Sequence, residues 1–212
     1  MKHPNLFQSY TFNNGVTVSN RLAVAPMTHL ASDDNGHITA EERQFLTDRF
    51  RGIGLFISAA TLVHDGGKAF YGQPEAIGAE DLPSLHEVAR IAHDQGAKAL
   101  LQIHHGGWQS IPDLNPNGEI FAPSEHPETG AKALTEAQIL SIIDGYGRAA
   151  ELALEAGFDG VEIHGANNYL IQQFFSAQSN RRTDAWGSSL QNRLRFPLAV
   201  VDAVTAVRDK HA

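Results

Sequence analysis

The densest grouping of chemically capable side chains in this 212-residue sequence is Gly160-Val161-Glu162-Ile163-His164-Gly165-Ala166-Asn167-Asn168-Tyr169-Leu170, followed by Asn180-Arg181-Arg182-Thr183-Asp184. It reads as a short apolar strand that ends abruptly in polar groups. Pleating would send Val161 and Ile163 to one side and Glu162 and His164 to the other. An imidazole, two amides and a phenol then crowd its C-terminal end, which is where α/β barrels carry their chemistry. The alternative is a buried histidine satisfied by one partner and followed by an ordinary loop.

Three further strand ends offer comparable groups: Pro26-Met27-Thr28, Ala59-Ala60-Thr61, and Gln102 with His104-His105. Three of the four ends present hydrogen-bonding groups and no metal-type carboxylate, so a flat polar ligand with several donors and acceptors suits them better than a cation. Gln102 is the informative residue, because an amide inside an apolar run is costly unless paired. Met27 and Ala60 alone would read as core, Thr28 as a strand end, and Tyr169 as a loop aromatic packing on Phe174.

The elements that must position these groups follow in order. Residues 7–12 and 16–18 flank Asn13-Asn14-Gly15 and predict a β-hairpin. Residues 22–26 form a first buried strand. Thr39-x-x-Glu42 is a capping-box signature opening a helix to about Arg51, and residues 55–61 form a second strand. A helix follows Asp81-Leu82-Pro83, with Leu85, Val88, Ala89 and Ala92 at helical spacing. A third strand covers residues 99–103. Residues 105–132 form a long loop of the kind that is usually functional or mobile. Thr135-x-x-Gln138 caps a helix to Ala156, and the strand before His164 is the fourth. A polar loop then leads to Ser188-x-x-Gln191 and a last helix to about Lys210, in which Pro197 predicts a kink or a fresh start. Strict β/α alternation argues a parallel sheet with right-handed crossovers. No linker divides the chain, so residues 1–212 read as one domain.

Composition removes several function classes. The net charge of −8 disfavours a nucleic-acid or anionic-membrane surface. No apolar run approaches the roughly 20 residues of a membrane span, and the N-terminus has no signal-peptide h-region. With no cysteine there is neither a disulfide nor a thiolate ligand or nucleophile, and a cytoplasmic location fits.

His164-Gly-Ala-Asn167-Asn-Tyr169-Leu, Gln172-Gln-Phe174, Asn180-x-Arg182-Thr183-Asp184 and Asn192-Arg-x-Arg-Phe196 resemble the Old Yellow Enzyme family of FMN-dependent ene-reductases. Ala25-Pro26-Met27-Thr28 and Leu101-Gln102-Ile-x-His105-x-Gly107 resemble its flavin segments on strands one and three. The resemblance covers essentially the whole chain and is most specific between His164 and Phe196. It implies an α/β fold of the (β/α)8 TIM-barrel type with an N-terminal hairpin plug, of which this chain holds about the first four units. It implies FMN as cofactor, NADH or NADPH as hydride donor, and a small enone-type substrate. Homo-oligomerisation is compatible with it; a nucleic-acid or membrane partner is not expected.

Residue by residue, the backbone around Pro26, Met27 and Ala60 would line the isoalloxazine. Thr28 would donate near flavin O4 and Gln102 would bind the pyrimidine edge. His164, shared between cofactor and substrate, would join Asn167 in donating to one substrate oxygen. Hydride from flavin N5 would reach the β-carbon, and Tyr169 would protonate the α-carbon. Arg182 and Asp184 read as an ion pair that holds the loop.

The sequence departs from the family pattern at Asn168 (usually Gly), Trp108 (usually Arg), Trp186-Gly-Ser-Ser (usually Tyr-Gly-Gly-Ser) and Gln191 (usually Glu). None of these touches His164, Asn167 or Tyr169. Substrate size is expected to depend on Trp108 and the 105–132 loop. The chain also stops where the family continues into a fifth strand, so it reads as part of a longer enzyme, incomplete at the C-terminal end, and as a free chain is expected to be poorly soluble and to hold little FMN. Two other readings stay open: a metal-dependent barrel hydrolase using His104, His105 and His164, and an inactive half-barrel module. An iron–sulfur branch of the family also stays open, since its ligands would lie beyond residue 212.

Overall fold

The computed structural model describes residues 3–211, with side chains described through Val207. Pro4–Phe7 makes a 3-10 turn, and a hairpin of β1 (Tyr10–Thr11) and β2 (Thr17–Val18) pairs antiparallel. Asn14 Oδ1 accepts from Val16 N–H at 3.2 Å and Gly15 takes φ 87°, so the Asn-Gly turn forms as expected. The arms are shorter than expected because Phe7 belongs to the preceding turn.

Next come β3 (Ala23–Val24), α1 (Ala40–Leu46), β4 (Leu55–Ile57) and β5 (Thr61–Leu62). They are followed by α2 (Leu82–Asp94) and β6 (Lys98–His104). The loop after β6 carries a small parallel pair, β7 (Phe121–Ala122) and β8 (Lys132–Ala133), and α3 (Glu136–Glu155) leads into β9 (Gly160–Ile163). A short α4 (Leu170–Phe175) and the long α5 (Leu190–His211) complete the described chain.

All pairings in the main sheet are parallel: β3 on β4, both β4 and β5 on β6, and β6 on β9. β4 and β5 are therefore two pieces of one strand position. This corrects the expected continuous strand over residues 55–61. At the break, Ser58 N–H still reaches Leu100 O at 2.9 Å, while Ser58 Oγ accepts from Gln102 N–H at 2.9 Å.

The helices cover one face of the sheet, and the other opens onto a cavity, although Gln102 and His104 on that face are themselves buried. Phe56, Ala99, Leu101 and Ile103 are buried in a core with Leu85, Ala89, Ile139, Ile142, Tyr146, Phe174 and Phe196 from the helices, and Val161 and Ile163 pack on it. Phe174 and Phe196 stack with centroids 4.1 Å apart, joining α4 to α5. Residues of opposite parity, Leu100, Gln102, Glu162 and His164 among them, look out of the other face, as the pleat requires. The hairpin lies at the lower end of the sheet, where Asn14 shares a cavity with Phe158, Asp159 and Gly160 at the start of β9.

Helix boundaries differ from the sequence reading for local reasons. Thr39 Oγ1 accepts from Glu42 N–H at 3.1 Å, but the Glu42 carboxylate turns to Ser32 Oγ (2.8 Å) and His29 Nε2 (3.1 Å) instead of closing the box. α1 stops at Leu46, before Arg51, because Thr47 is already extended (φ −65°, ψ 135°) and Asp48 then turns to φ 63°. Thr135 and Gln138 form the full reciprocal cap of α3. The cap of α5 is Ser189, whose Oγ accepts from Asn192 N–H at 3.2 Å, one residue later than expected, because Ser188 takes φ 68°. α5 runs through Pro197 without ending. α4 was expected to be loop.

Asp159 closes the lower end of the β6–β9 pair. Its carboxylate accepts from Lys98 Nζ at 2.6 Å, His93 Nε2 at 2.8 Å and Ala99 N–H at 2.9 Å. Partial burial pushes its pKa up, but these three donors outweigh burial and hold it below the ordinary carboxylate value. A depressed folded pKa gives stability that is present above the unfolded value of about 3.9 and is lost as pH falls through the folded one. Asp159→Asn is expected to destabilise the fold by about 1–3 kcal/mol at neutral pH. The gap in melting temperature between the two proteins should narrow below about pH 4; a gap that stays constant into acid would contradict the assignment.

Candidate active site

The site follows from one register. β6 and β9 pair with Gln102 opposite Glu162 and Ile103 opposite Ile163, and His164 N–H donates to Ile103 O at 3.1 Å. On the cavity face this sets Gln102 beside Glu162 and, one step further, His104 beside His164. Gln102 Nε2 donates to Glu162 Oε1 at 2.6 Å, and the two imidazoles lie 5.2 Å apart at 68°.

Above them is an open cavity of about 370 Å³. Pro26 and Thr28 line it from the end of β3, Ala60 from the β4–β5 break, Gln102 from β6, and Glu162, His164, Asn167 and Tyr169 from β9 and its loop. The structure thus brings together every expected site residue except Met27. The Met27 side chain is 65% exposed and lies in a separate groove with Phe45 and Arg49, because alternation along the chain turns it away from Pro26 and Thr28. Glu162 and Phe70 also line the cavity and were not among the expected site residues. The alternation that places Glu162 on the face of His164 was its available signal; Phe70 arrives on a loop that carries no comparable pattern.

Each polar group is held in a defined state. His164 Nδ1 accepts from Ala166 N–H at 3.3 Å, which leaves the ring proton on Nε2. Burial lowers its pKa below the ordinary imidazole value, so the ring is a neutral N–H donor at neutral pH. Burial raises the pKa of Tyr169, so the phenol keeps its proton. The Tyr169 ring stands edge-to-face with His164 at 5.0 Å and with His104 at 4.3 Å rather than packing on Phe174. The Asn167 amide makes no hydrogen bond among the described residues, and its backbone, like that of Asn168, is left-handed (φ 56° and 62°). Asn tolerates that conformation better than most residues, as expected for Asn168.

Glutamine side chains fix this unusual pair. Gln109 Nε2 donates to Asn167 O at 2.9 Å, Asn168 N–H donates to Gln172 Oε1 at 2.7 Å, and Gln173 Nε2 donates to Asn168 O at 2.7 Å. Gln173 is fully buried and also bonds Gly106 O and Trp108 N–H, both at 3.2 Å. Gly107, at φ 62°, must be glycine, since a Cβ there would lie 2.1 Å from Gln173 Oε1. The 105–132 loop therefore reaches the site through Gln109 and Gln173. The Trp108 ring instead stacks on His126 at 4.4 Å and packs on the loop's own small core.

Arg182 is structural, as expected: it pairs with Asp184 at 2.6 Å and donates to Pro123 O and Leu134 O. The three histidines of the metal reading do not converge. His105 Nδ1 accepts from Gly107 N–H, His104 Nδ1 from Gln73 and His164 Nδ1 from Ala166 N–H. Burial, with His64 beside it, pushes His105 down to about 3. Among the described residues no group of three or more His, Cys, Asp or Glu is placed to hold a metal, and no helix is long and apolar enough to cross a membrane.

Comparison with known proteins gives a consistent picture. The family model described as NADH:flavin oxidoreductase / NADH oxidase matches residues 5–212. A probable NADH-dependent flavin oxidoreductase of Bacillus subtilis (strain 168), YqiG, is 47% identical over 100% of this chain and 58% of its own length. A probable flavin mononucleotide-dependent alkene reductase of Leishmania infantum is 37% identical over 90% of this chain and 57% of its own. The crystal structure of Old Yellow Enzyme from Pichia sp. AKU4542 superposes with a TM-score of 0.89 at 27% identity, over 96% of this chain and 56% of that one. The chain thus spans a little over half the length of these relatives.

Gln173→Leu would leave Trp108 N–H and Asn168 O without their partner and Gly106 O with only Gln109 N–H. It is expected to destabilise the fold by about 1–3 kcal/mol and to increase hydrogen exchange at Trp108. Unchanged stability and exchange would show that the amide does not hold the loop.

Proposed function

The chain belongs to the NADH:flavin oxidoreductase / NADH oxidase family, and from that premise we propose that it builds the substrate face of an FMN-dependent enzyme that reduces the activated C=C bond of α,β-unsaturated carbonyl compounds with NADH or NADPH. The observation that carries this reading is the gathering of His164, Asn167 and Tyr169 with Thr28, Ala60 and Gln102 around one cavity.

The donor set suits the edge of a flavin ring. Thr28 Oγ1 and Gln102 Oε1 make no hydrogen bond among the described residues, so a hydroxyl and an amide oxygen remain for a heterocycle with donors and acceptors along its rim. Pro26 and Ala60 offer small apolar contact beside them. The Met27 side chain would contribute nothing to this surface. When bound, FMN supplies a two-electron carrier that takes hydride from the nicotinamide and passes it to the β-carbon.

The chain's own residues do the rest. His164, with its proton on Nε2, and Asn167, with a free amide, would both donate to the substrate carbonyl oxygen. Negative charge develops there as hydride arrives at the β-carbon, and fixed donors stabilise it without reorganisation. A neutral His164 suits this role, because it binds the oxygen without surrendering its proton. Tyr169 would then deliver its phenolic proton to the α-carbon, balancing the hydride and completing the saturated product. Its raised pKa keeps that proton available at neutral pH.

Tyr169→Phe is expected to slow reoxidation of the flavin by an enone by about 10²-fold, while reduction by NADH stays within about twofold. Stopped-flow absorbance separates the two steps. Equal reoxidation rates in the two proteins would contradict the assignment of Tyr169.

A further inference from the structure

His104 takes no part in the chemistry above, yet it is the most tightly placed ring at the site. It is fully buried, and its Nε2 has no hydrogen-bond partner among the described residues. Its other nitrogen is committed. Gln73, also fully buried, accepts from Ala69 N–H through Oε1 at 2.8 Å and donates through Nε2 to Ala60 O at 3.1 Å. Those two backbone partners fix which end of the amide is which. The same NH2 group reaches His104 Nδ1 at 3.1 Å, and an amide NH2 can only donate. His104 Nδ1 is therefore the acceptor, and the ring carries its proton on Nε2.

The ring that carries this proton packs against the proposed clamp. The His104 ring meets Tyr169 at 4.3 Å and 82° and His164 at 5.2 Å and 68°, with Phe70 at 5.8 Å on a third side. His164 is itself an Nε2–H donor, its Nδ1 being taken by Ala166, so the two imidazoles cannot bond each other through those protons. What surrounds His104 on this side is aromatic, with Tyr169 nearest in an edge-to-face contact and Phe70 further off. The titratable groups around it, His105, His164 and Tyr169, carry no negative charge that would draw a second proton onto the ring.

We propose that His104 is a positioning residue of the clamp: Gln73 fixes its proton on Nε2, and the ring so fixed sets the angle of Tyr169 against His164 and hence the approach of the phenolic proton to substrate. The sequence that matters is Ala69 and Ala60 backbone to Gln73, Gln73 to His104, and His104 to Tyr169. This inference rests on the proposed roles of Tyr169 and His164.

The test uses the FMN-loaded protein and two measurements. Long-range ¹⁵N–¹H spectra of the histidine rings should show His104 with the Nε2–H pattern, unchanged from pH 6 to 8; an Nδ1–H pattern, or an imidazolium within that range, would overturn the proposal. In stopped flow with cyclohex-2-en-1-one as probe, His104→Phe keeps a flat ring but removes both nitrogens. Reoxidation should slow by about tenfold or more, the enone concentration at half-saturation should move less than about threefold, and reduction by NADH should stay within about twofold. Reoxidation within twofold of the parent would overturn the proposal, as would a loss confined to enone binding. Should His104→Phe fail to fold, Gln73→Glu serves: it reverses the hydrogen bond to Nδ1 and should convert the ring to a titrating one, with the same slowing of reoxidation. A parent protein that binds flavin but is never reoxidised by enone contradicts the proposed function itself, and the ring spectra then decide the placement of the His104 proton on their own.

Discussion

The parallel register between Lys98–His104 and Gly160–Ile163 is the constraint on which the rest of the structure depends. A slip of one residue would turn Glu162 and His164 into the helix-packed core and present Val161 and Ile163 to the cavity. The register is held from below by Asp159, which ties the start of β9 to Lys98, Ala99 and His93. It is held along its length by Leu101, Ile103, Val161 and Ile163, which have an apolar core to enter on one face only. Polar chemistry at the upper end is therefore a consequence of apolar packing on the opposite face. The core decides which way His164 points.

Above the strand, control passes from packing to amides. Two consecutive left-handed residues, Asn167 and Asn168, are an unfavourable stretch of backbone for side-chain-bearing residues. Gln109, Gln172 and Gln173 occupy their backbone groups, and Gln173 extends the hold to Gly106 and Trp108 in the loop after β6. Gln73 does the same service for His104. A site that presents free donors to a ligand needs its supporting donors fully used, because a half-satisfied network would leave the clamp several ways to relax. Among the described residues the free groups facing the cavity are on Thr28, Gln102, His164, Asn167 and Tyr169, and the fully used glutamine amides stand behind them.

Much of this was legible in the sequence, for identifiable reasons. Alternation in Val161-Glu162-Ile163-His164 separated the two faces, and Thr135-x-x-Gln138 and Asn14-Gly15 marked a cap and a turn because their geometry is local. The residues of the cavity were found through their motif; Met27, expected there through its backbone, sends its side chain to a separate groove. A motif names neighbours in the chain, whereas a pleat sends alternate neighbours to opposite sides. The early stop of α1, the break between β4 and β5, and the late cap of α5 were not legible, since they turn on backbone torsions at Thr47, Asp48 and Ser188 and on a side chain, Ser58, borrowed by the next strand. Gln73 and Phe70 were also invisible. They lie far from β9 in sequence, and only the fold brings them to His104 and Tyr169.

The measurement that tests the central claim most directly is the visible spectrum of the FMN-loaded holoenzyme, followed anaerobically through NADH addition and then enone addition. The account predicts that the flavin absorbance bleaches with NADH and returns with the enone. In Asn167→Ala, which removes one of the two oxygen donors, bleaching should be unaltered and the return slowed by about 10²-fold. A flavin that bleaches and is restored by the enone equally fast in both proteins would contradict the claim that the loop after β9 is the substrate clamp.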